Sequence, residues 1–123
     1  MKRVLAILLL LAAAPLARAD GDPTRGEKAF RMCSACHSAI DDTNKVGPHL
    51  KGVVGRRAGG VEGYEYSAAM KAVGEEGLVW TEENLEAYLA SPKIFVPGNK
   101  MAYPGVKKAN ERDDIIAYLK TQM

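Results

Sequence analysis

The chain has 123 residues, with 17 lysines and arginines against 15 aspartates and glutamates, two cysteines and two histidines. That length suits one compact domain. The near-balanced charge gives no support to nucleic-acid binding, which draws on a surplus of positive charge.

The first 19 residues read as a leader outside the fold. Lys2 and Arg3 make a charged start, Val4 to Ala14 is an unbroken apolar run of 11, and Ala17-Arg18-Ala19 is a small-x-small cleavage site. Eleven apolar residues fall short of the ~20 that a spanning helix needs. The expectation is a signal peptide over 1–19, cleaved on export to the periplasm, and one domain over 20–123. An uncleaved membrane anchor is the alternative. Cleavage removes Lys2, Arg3 and Arg18, leaving 14 basic and 15 acidic residues, a net charge of −1.

Asp22-Pro23 predicts a helix start, with Asp as N-cap and Pro in the first turn. The helix should reach about Cys33 and turn Phe30 inward. Gly26 lies four positions before Phe30 on the same face, which suggests close approach by another helix. A tolerated surface glycine is the other reading.

Cys33-Ser34-Ala35-Cys36-His37 follows. It is C-x-x-C-H, the attachment signature of a c-type haem. Thiols three positions apart lie within about one helical turn. They can add across two vinyl groups on one side of a haem. The imidazole of His37 is then carried to where it can ligate the iron. Two other chemistries use similar residues. A redox dithiol wants a βαβ context, and no strand-like run lies near. A zinc site could recruit Cys33, Cys36, His37 and His49, but His37 directly follows Cys36, too close to chelate easily. A buried haem would also supply apolar surface to a domain small for a self-sufficient core.

Ile40 to Gly63 is rich in glycine and turn residues and reads as loop. Ser67 to Val73 reads as a short helix stopped by Gly74. Thr81 caps the next helix, with Glu82 and Glu83 in its first turn. Trp80 and Leu85 could form a hydrophobic staple. Leu85, Tyr88 and Leu89 mark its buried face, and Ser91-Pro92 ends it. Lys93 to Gly105 is irregular. Asn110 caps the last helix, whose Ile115, Tyr118 and Leu119 share one face.

His37 leaves the other side of a haem open. His49, Met32, Met70, Met101 and Met123 are the candidates for the second iron ligand. Met32 adjoins the attachment motif, Met70 sits in an expected helix, and Met123 is terminal. Met101 lies in a loop far along the chain that could fold over the distal face. A thioether there raises the reduction potential relative to a second imidazole.

Taken in order, these stretches resemble the class I c-type cytochromes, and within them mitochondrial cytochrome c and its bacterial soluble relatives. The resemblance runs from Gly26 to about Lys120. It is carried by Gly26 with Phe30, Cys33-Ser34-Ala35-Cys36-His37, Gly47-Pro48-His49-Leu50, Gly52-Val53-Val54-Gly55-Arg56, and Tyr64-Glu65-Tyr66-Ser67. Trp80 with Thr81, Tyr88-Leu89, Pro97-Gly98-Asn99-Lys100-Met101 and Asp114-Ile115-Ile116-Ala117-Tyr118-Leu119 complete it. The resemblance implies an all-α, single-domain cytochrome c fold of four to five helices and long loops around one covalently attached haem c. It implies thioether bonds at Cys33 and Cys36, and His37 and Met101 as axial ligands. The Pro48 carbonyl should fix the His37 ring. Arg56, Tyr66 and Trp80 match positions that hold a propionate, and Tyr88 and Asn99 positions near the methionine ligand. Tyr103 departs from a more usual Phe, and Met70 from a more usual polar residue.

The function implied is a periplasmic monohaem electron carrier, not an enzyme. It would accept single electrons from a cytochrome bc complex and pass them to a terminal oxidase or photosynthetic reaction centre. Arg31, Lys45, Lys93, Lys100, Lys107 and Lys108 would ring the haem edge for docking onto an acidic partner. The expectation is a monomer with no stable membrane insertion. The rival reading is a haem peroxidase or diatomic-gas-binding cytochrome whose distal ligand leaves.

Overall fold

The computed structural model describes residues 21–123, and within them the regular structure is helical: α1 (Pro23–Phe30), α2 (Ala68–Glu75), α3 (Glu82–Ala90), α4 (Pro92–Phe95) and α5 (Ala109–Thr121). One isolated antiparallel bridge joins Arg57 to Val79. The leader expected over 1–19 lies outside the described residues. Among the described residues, no helix is long and apolar enough to cross a membrane.

The start of α1 follows from its cap. Asp22 is extended, and its carboxylate accepts from the Arg25 N–H at 2.8 Å. The helix ends at Phe30, three residues before the expected Cys33. Residues 31–36 keep winding as turns, with Cys33 N–H on the Phe30 carbonyl at 2.7 Å and His37 N–H on the Cys33 carbonyl at 2.9 Å.

Helix α1 crosses α5 at Gly26, which is buried. A Cβ there would lie 1.8 Å from the Asp114 carbonyl oxygen and 2.8 Å from Tyr118 Cβ, so only glycine permits this approach. Phe30 meets Tyr118 with ring centroids 5.4 Å apart. Ile115, Ile116 and Leu119 lie in the core beside them. The crossing also carries a polar tie that the sequence did not announce. Asp114, buried on α5, accepts from the Asp22 N–H at 2.7 Å and from Arg25 Nε at 3.1 Å. Those bonds hold its carboxyl below the usual aspartate range, the Arg25 hydrogen bond counting most.

Three boundaries differ from expectation. Gly74 does not stop α2, which runs on to Glu75; Gly74 is buried where a Cβ would lie 2.1 Å from the Ala58 carbonyl oxygen. It is a contact point inside the helix rather than its end. The stretch after Ser91 contains one helical turn, α4, opened by Pro92. Helix α5 has Lys108 rather than Asn110 at its N-cap position, with no side-chain cap. The Lys108 carbonyl accepts from the Arg112 N–H at 3.2 Å, the first bond of the helix, so the helix begins ahead of Asn110. Helix α3 matches expectation: the Thr81 hydroxyl accepts from the Asn84 N–H at 3.1 Å, Leu85 is buried, and Tyr88 and Leu89 are half-buried.

Candidate cofactor site

The turns after α1 set Cys33, Cys36 and His37 on the wall of the domain, each half-buried. No disulfide joins the two cysteines. Burial, with Cys36 adding to it, pushes the Cys33 thiol above its ordinary value. A redox dithiol needs the opposite, a lowered thiol pKa.

His37 is the best-defined group. Its Nδ1 lies 2.7 Å from the Pro48 carbonyl oxygen. Nδ1 is therefore the protonated nitrogen, and the Nε2 lone pair is left to bind something else. Burial pulls the ring below its ordinary pKa, partly offset by the Pro48 bond. Gly47 makes this possible: a Cβ there would lie 2.3 Å from His37 Cε1. The Gly47-Pro48 pair thus does two tasks, of which the sequence announced only the second. Asn44 shapes the same loop, accepting from the His49 N–H at 3.0 Å and donating to the Glu62 carbonyl at 3.4 Å.

Of the other ligand candidates, His49 is turned toward Asp42, with Nε2 3.9 Å from Oδ1. Met70 is buried in the core, Met32 is exposed beside the Tyr103 hydroxyl at 3.6 Å, and Met123 is exposed at the chain end. Met101 sits half-buried with its sulfur 3.9 Å from the Tyr88 hydroxyl. The buried Asn99 holds its backbone rather than its sulfur. Its Oδ1 accepts from the Met101 N–H at 2.9 Å, while its Nδ2 donates to the Pro92 and Val96 carbonyls at 2.8 and 2.9 Å. Tyr88 packs on Trp80 at 4.9 Å between centroids. Burial pushes the Tyr88 phenol up to about 12.

Arg56 is half-buried, with Nη1 3.3 Å from the Lys51 carbonyl, and its buried Nε has no partner. It lies near enough to Tyr66 for each charge to shift the other. The Tyr66 hydroxyl accepts from the Val61 N–H at 3.0 Å, leaving its own proton to donate. A buried unpaired guanidinium N–H is costly unless an anion meets it. Haem propionates are such anions. Apolar side chains from most of the chain also stop at half-burial around the core: Leu50, Val54, Tyr66, Leu78, Tyr88, Phe95 and Tyr103. A flat apolar macrocycle would cover such surface. The residues present therefore fit a haem on three counts: an imidazole with one nitrogen free, an unpaired buried cation, and unburied apolar wall.

The expected docking cations divide. Arg31, Lys93, Lys107 and Lys108 are exposed. Lys45 Nζ donates to the Ser34 carbonyl at 2.8 Å. Lys100 Nζ donates to the Glu65 carbonyl and lies 4.7 Å from the Tyr64 ring centroid. Lys100 therefore ties the Met101 segment to another loop.

The sequence model of the cytochrome c family matches residues 23–122. The chain is 54% identical over 101 residues to a cytochrome c2 of Agrobacterium tumefaciens (strain II Chrys), covering 81% of this chain and 91% of that one. It is 46% identical over 100 residues to a cytochrome c-550 of Ancylobacter novellus, covering 80% and 94%. Among solved structures, cytochrome cH from Methylobacterium extorquens superposes with a TM-score of 0.75 at 52% identity, over 82% of this chain and 99% of that one. Cytochrome c2 from Rhodospirillum centenum gives 0.79 at 41% identity, over 83% and 98%.

Proposed function

The chain belongs to the cytochrome c family, and from that premise we propose that it shuttles single electrons between membrane complexes of the periplasm through a haem ligated by His37 and Met101. It is an electron-transfer protein rather than an enzyme, and it carries one covalently attached haem c, as its family does. When bound, the haem supplies an iron that takes up or releases one electron.

The observation that carries the reading is the 2.7 Å bond from His37 Nδ1 to the Pro48 carbonyl. It fixes the tautomer in which Nε2 is a ligand, and it makes the imidazole a stronger donor to iron. Cys33 and Cys36, in the turns just before His37, tether the cofactor. Arg56, with Tyr66 and Trp80, meets the negative charge of a propionate. Tyr88 and Asn99 act at the other ligand: one offers a hydroxyl to the Met101 sulfur, the other fixes its backbone. With His37 and Met101 both holding the iron, the bound haem would exchange electrons without binding a substrate. The peroxidase or gas-binding alternative requires Met101 to leave, and the Asn99 bonds oppose that. The donor proposed is a cytochrome bc complex, and the acceptor a terminal oxidase or photosynthetic reaction centre.

Denaturing mass spectrometry of protein from the periplasm tests the tether. The expected mass is that of residues 20–123 plus one haem; an apo mass with a Cys33–Cys36 disulfide overturns the reading. The ferric spectrum tests the ligands. The far-red charge-transfer band of thioether-bound iron should be present in the native protein and lost in Met101→Ala.

A further inference from the structure

The segment from Pro97 to Lys107 carries Met101 and crosses the domain without regular structure. Its front end is held by Asn99 on the turn of α4. Its rear end is held by a cluster of polar bonds that no role assigned so far explains. Arg112, on the first turns of α5, donates from Nη1 to the Val106 carbonyl at 2.7 Å and the Lys107 carbonyl at 3.1 Å. Its Nε bonds Glu86 Oε1 of α3 at 2.5 Å. The arginine side chain is 14% exposed and the glutamate 27%. The second glutamate oxygen, Oε2, is buried without a partner. Beside this cluster Val106 is buried, its N–H on the Leu89 carbonyl at 2.7 Å. Gly105, at φ +116, passes so close to α3 that a Cβ would lie 2.5 Å from the Ala90 carbonyl oxygen.

An ion pair of this kind is a poor source of bulk stability, because desolvation offsets much of its attraction. It is good at fixing geometry. The guanidinium fork has one direction satisfied by Glu86 and the other by two consecutive carbonyls, so the carboxylate sets where those carbonyls sit. We propose that Glu86 and Arg112 form the rear clasp of the Met101 segment, positioning residues that hold the sulfur in register with the iron. The proposal rests on the reading of Met101 as the distal ligand. Neither side chain touches Met101; both act through the backbone between residues 101 and 107. Without the clasp, the rear of the segment keeps only the Val106 N–H bond to Leu89 and its packing on α3, and the Val106 and Lys107 carbonyls turn to water.

The experiment uses ferric holoprotein and three variants: Glu86→Gln, Arg112→Lys and Arg112→Gln. Two readouts follow the segment itself: the urea and pH midpoints at which the far-red band disappears, and hydrogen exchange at the Met101 and Val106 amides. A third, the melting temperature, follows the whole fold. Charged hydrogen bonds of this strength predict that segment opening rises about tenfold in Arg112→Gln. The band midpoint should fall with it, ahead of global melting. Arg112→Lys keeps the charge but loses the fork, and should recover only part of the loss. Glu86→Gln keeps the shape and one acceptor, and should lie between wild type and Arg112→Gln. If the variants lower the melting temperature while the band midpoint and both amides follow it in step, the pair is ordinary framework and the proposal fails. If wild type has the band and no variant moves any readout, it also fails. A wild-type protein with no far-red band overturns the ligand reading first, and the clasp with it.

Discussion

At Tyr88, one hydroxyl serves two masters, the packing of the core and the sulfur of Met101. Its ring lies between Trp80 and Phe95, at 4.9 and 6.2 Å between centroids. Burial there pushes its pKa up to about 12, from the ordinary value of 10. A raised pKa in the folded state means that stability is fully present below pH 10 and is lost as pH rises toward 12. Two units correspond to about 2–3 kcal/mol. Tyr88→Phe should therefore show a flatter fall in unfolding free energy across that window, measured by urea titration at several pH values. Parallel curves for wild type and variant would show that the phenol ionises as freely in the fold as outside it. The variant should also shift the reduction potential, since the hydroxyl 3.9 Å from the sulfur is gone.

Among the elements, α1 and α5 carry the sharpest constraint. Gly26→Val forces a side chain into the 1.8 Å between its first carbon and the Asp114 carbonyl. The helices must separate or tilt, and overpacking of this sort costs about 1–3 kcal/mol. The melting temperature should drop clearly; a wild-type value would mean that the crossing yields without cost. This contact was legible in the sequence because glycine on an apolar helix face has few other uses. The caps at Asp22 and Thr81, and the inward face of α5, were legible for the same reason: each is a local rule with a local residue. What was not legible depended on a partner far along the chain. Gly74 read as a stop, and only the Ala58 carbonyl beneath it shows it as a contact. Asn110 is a different case: it read as a cap, but the first helical bond, from the Arg112 N–H to the Lys108 carbonyl, starts the helix two residues earlier. Gly47 matters because of the His37 ring, and Asp114 because of Arg25 and the Asp22 N–H. At the candidate site, the residues proposed to hold iron stood out in different ways, His37 by the C-x-x-C-H spacing and Met101 through the family resemblance. The residues that brace them, Asn44, Glu86 and Arg112, are ordinary polar side chains with no pattern of their own.

Over the whole molecule, charge is sorted by segment more than by total. Residues 93 to 108 hold four lysines and no acid, around Met101, whereas Glu75, Glu76, Glu82 and Glu83 are exposed where α2 gives way to α3. Such a dipolar surface speeds encounter with an acidic partner, and salt screens it over a Debye length of about 10 Å at 0.1 M. The second-order electron-transfer rate with such a partner should fall steeply with ionic strength. Lys93→Glu should slow it further and leave the spectrum unchanged. Lys100→Gln should slow it less, because that ammonium is already engaged by the Glu65 carbonyl and the Tyr64 ring. Stopped-flow traces at several salt concentrations decide this; a rate indifferent to salt would move the docking face elsewhere.

The crossing of α1 with α5 also governs the order of assembly. Alone, an eight-residue helix is too short to persist in water. Its partner arrives so late that the Asp22–Asp114 tie spans 92 positions of chain. Bringing such distant ends together costs roughly 4 kcal/mol of closure entropy before any contact repays it. Until that closure, α1 alone does not keep the stretch leading into Cys33 and Cys36 folded, which leaves those thiols open to attachment chemistry. A cofactor held by both His37 and Met101, as proposed, would cut the long circuit into shorter ones and leave the two ends of the chain far less distance to search.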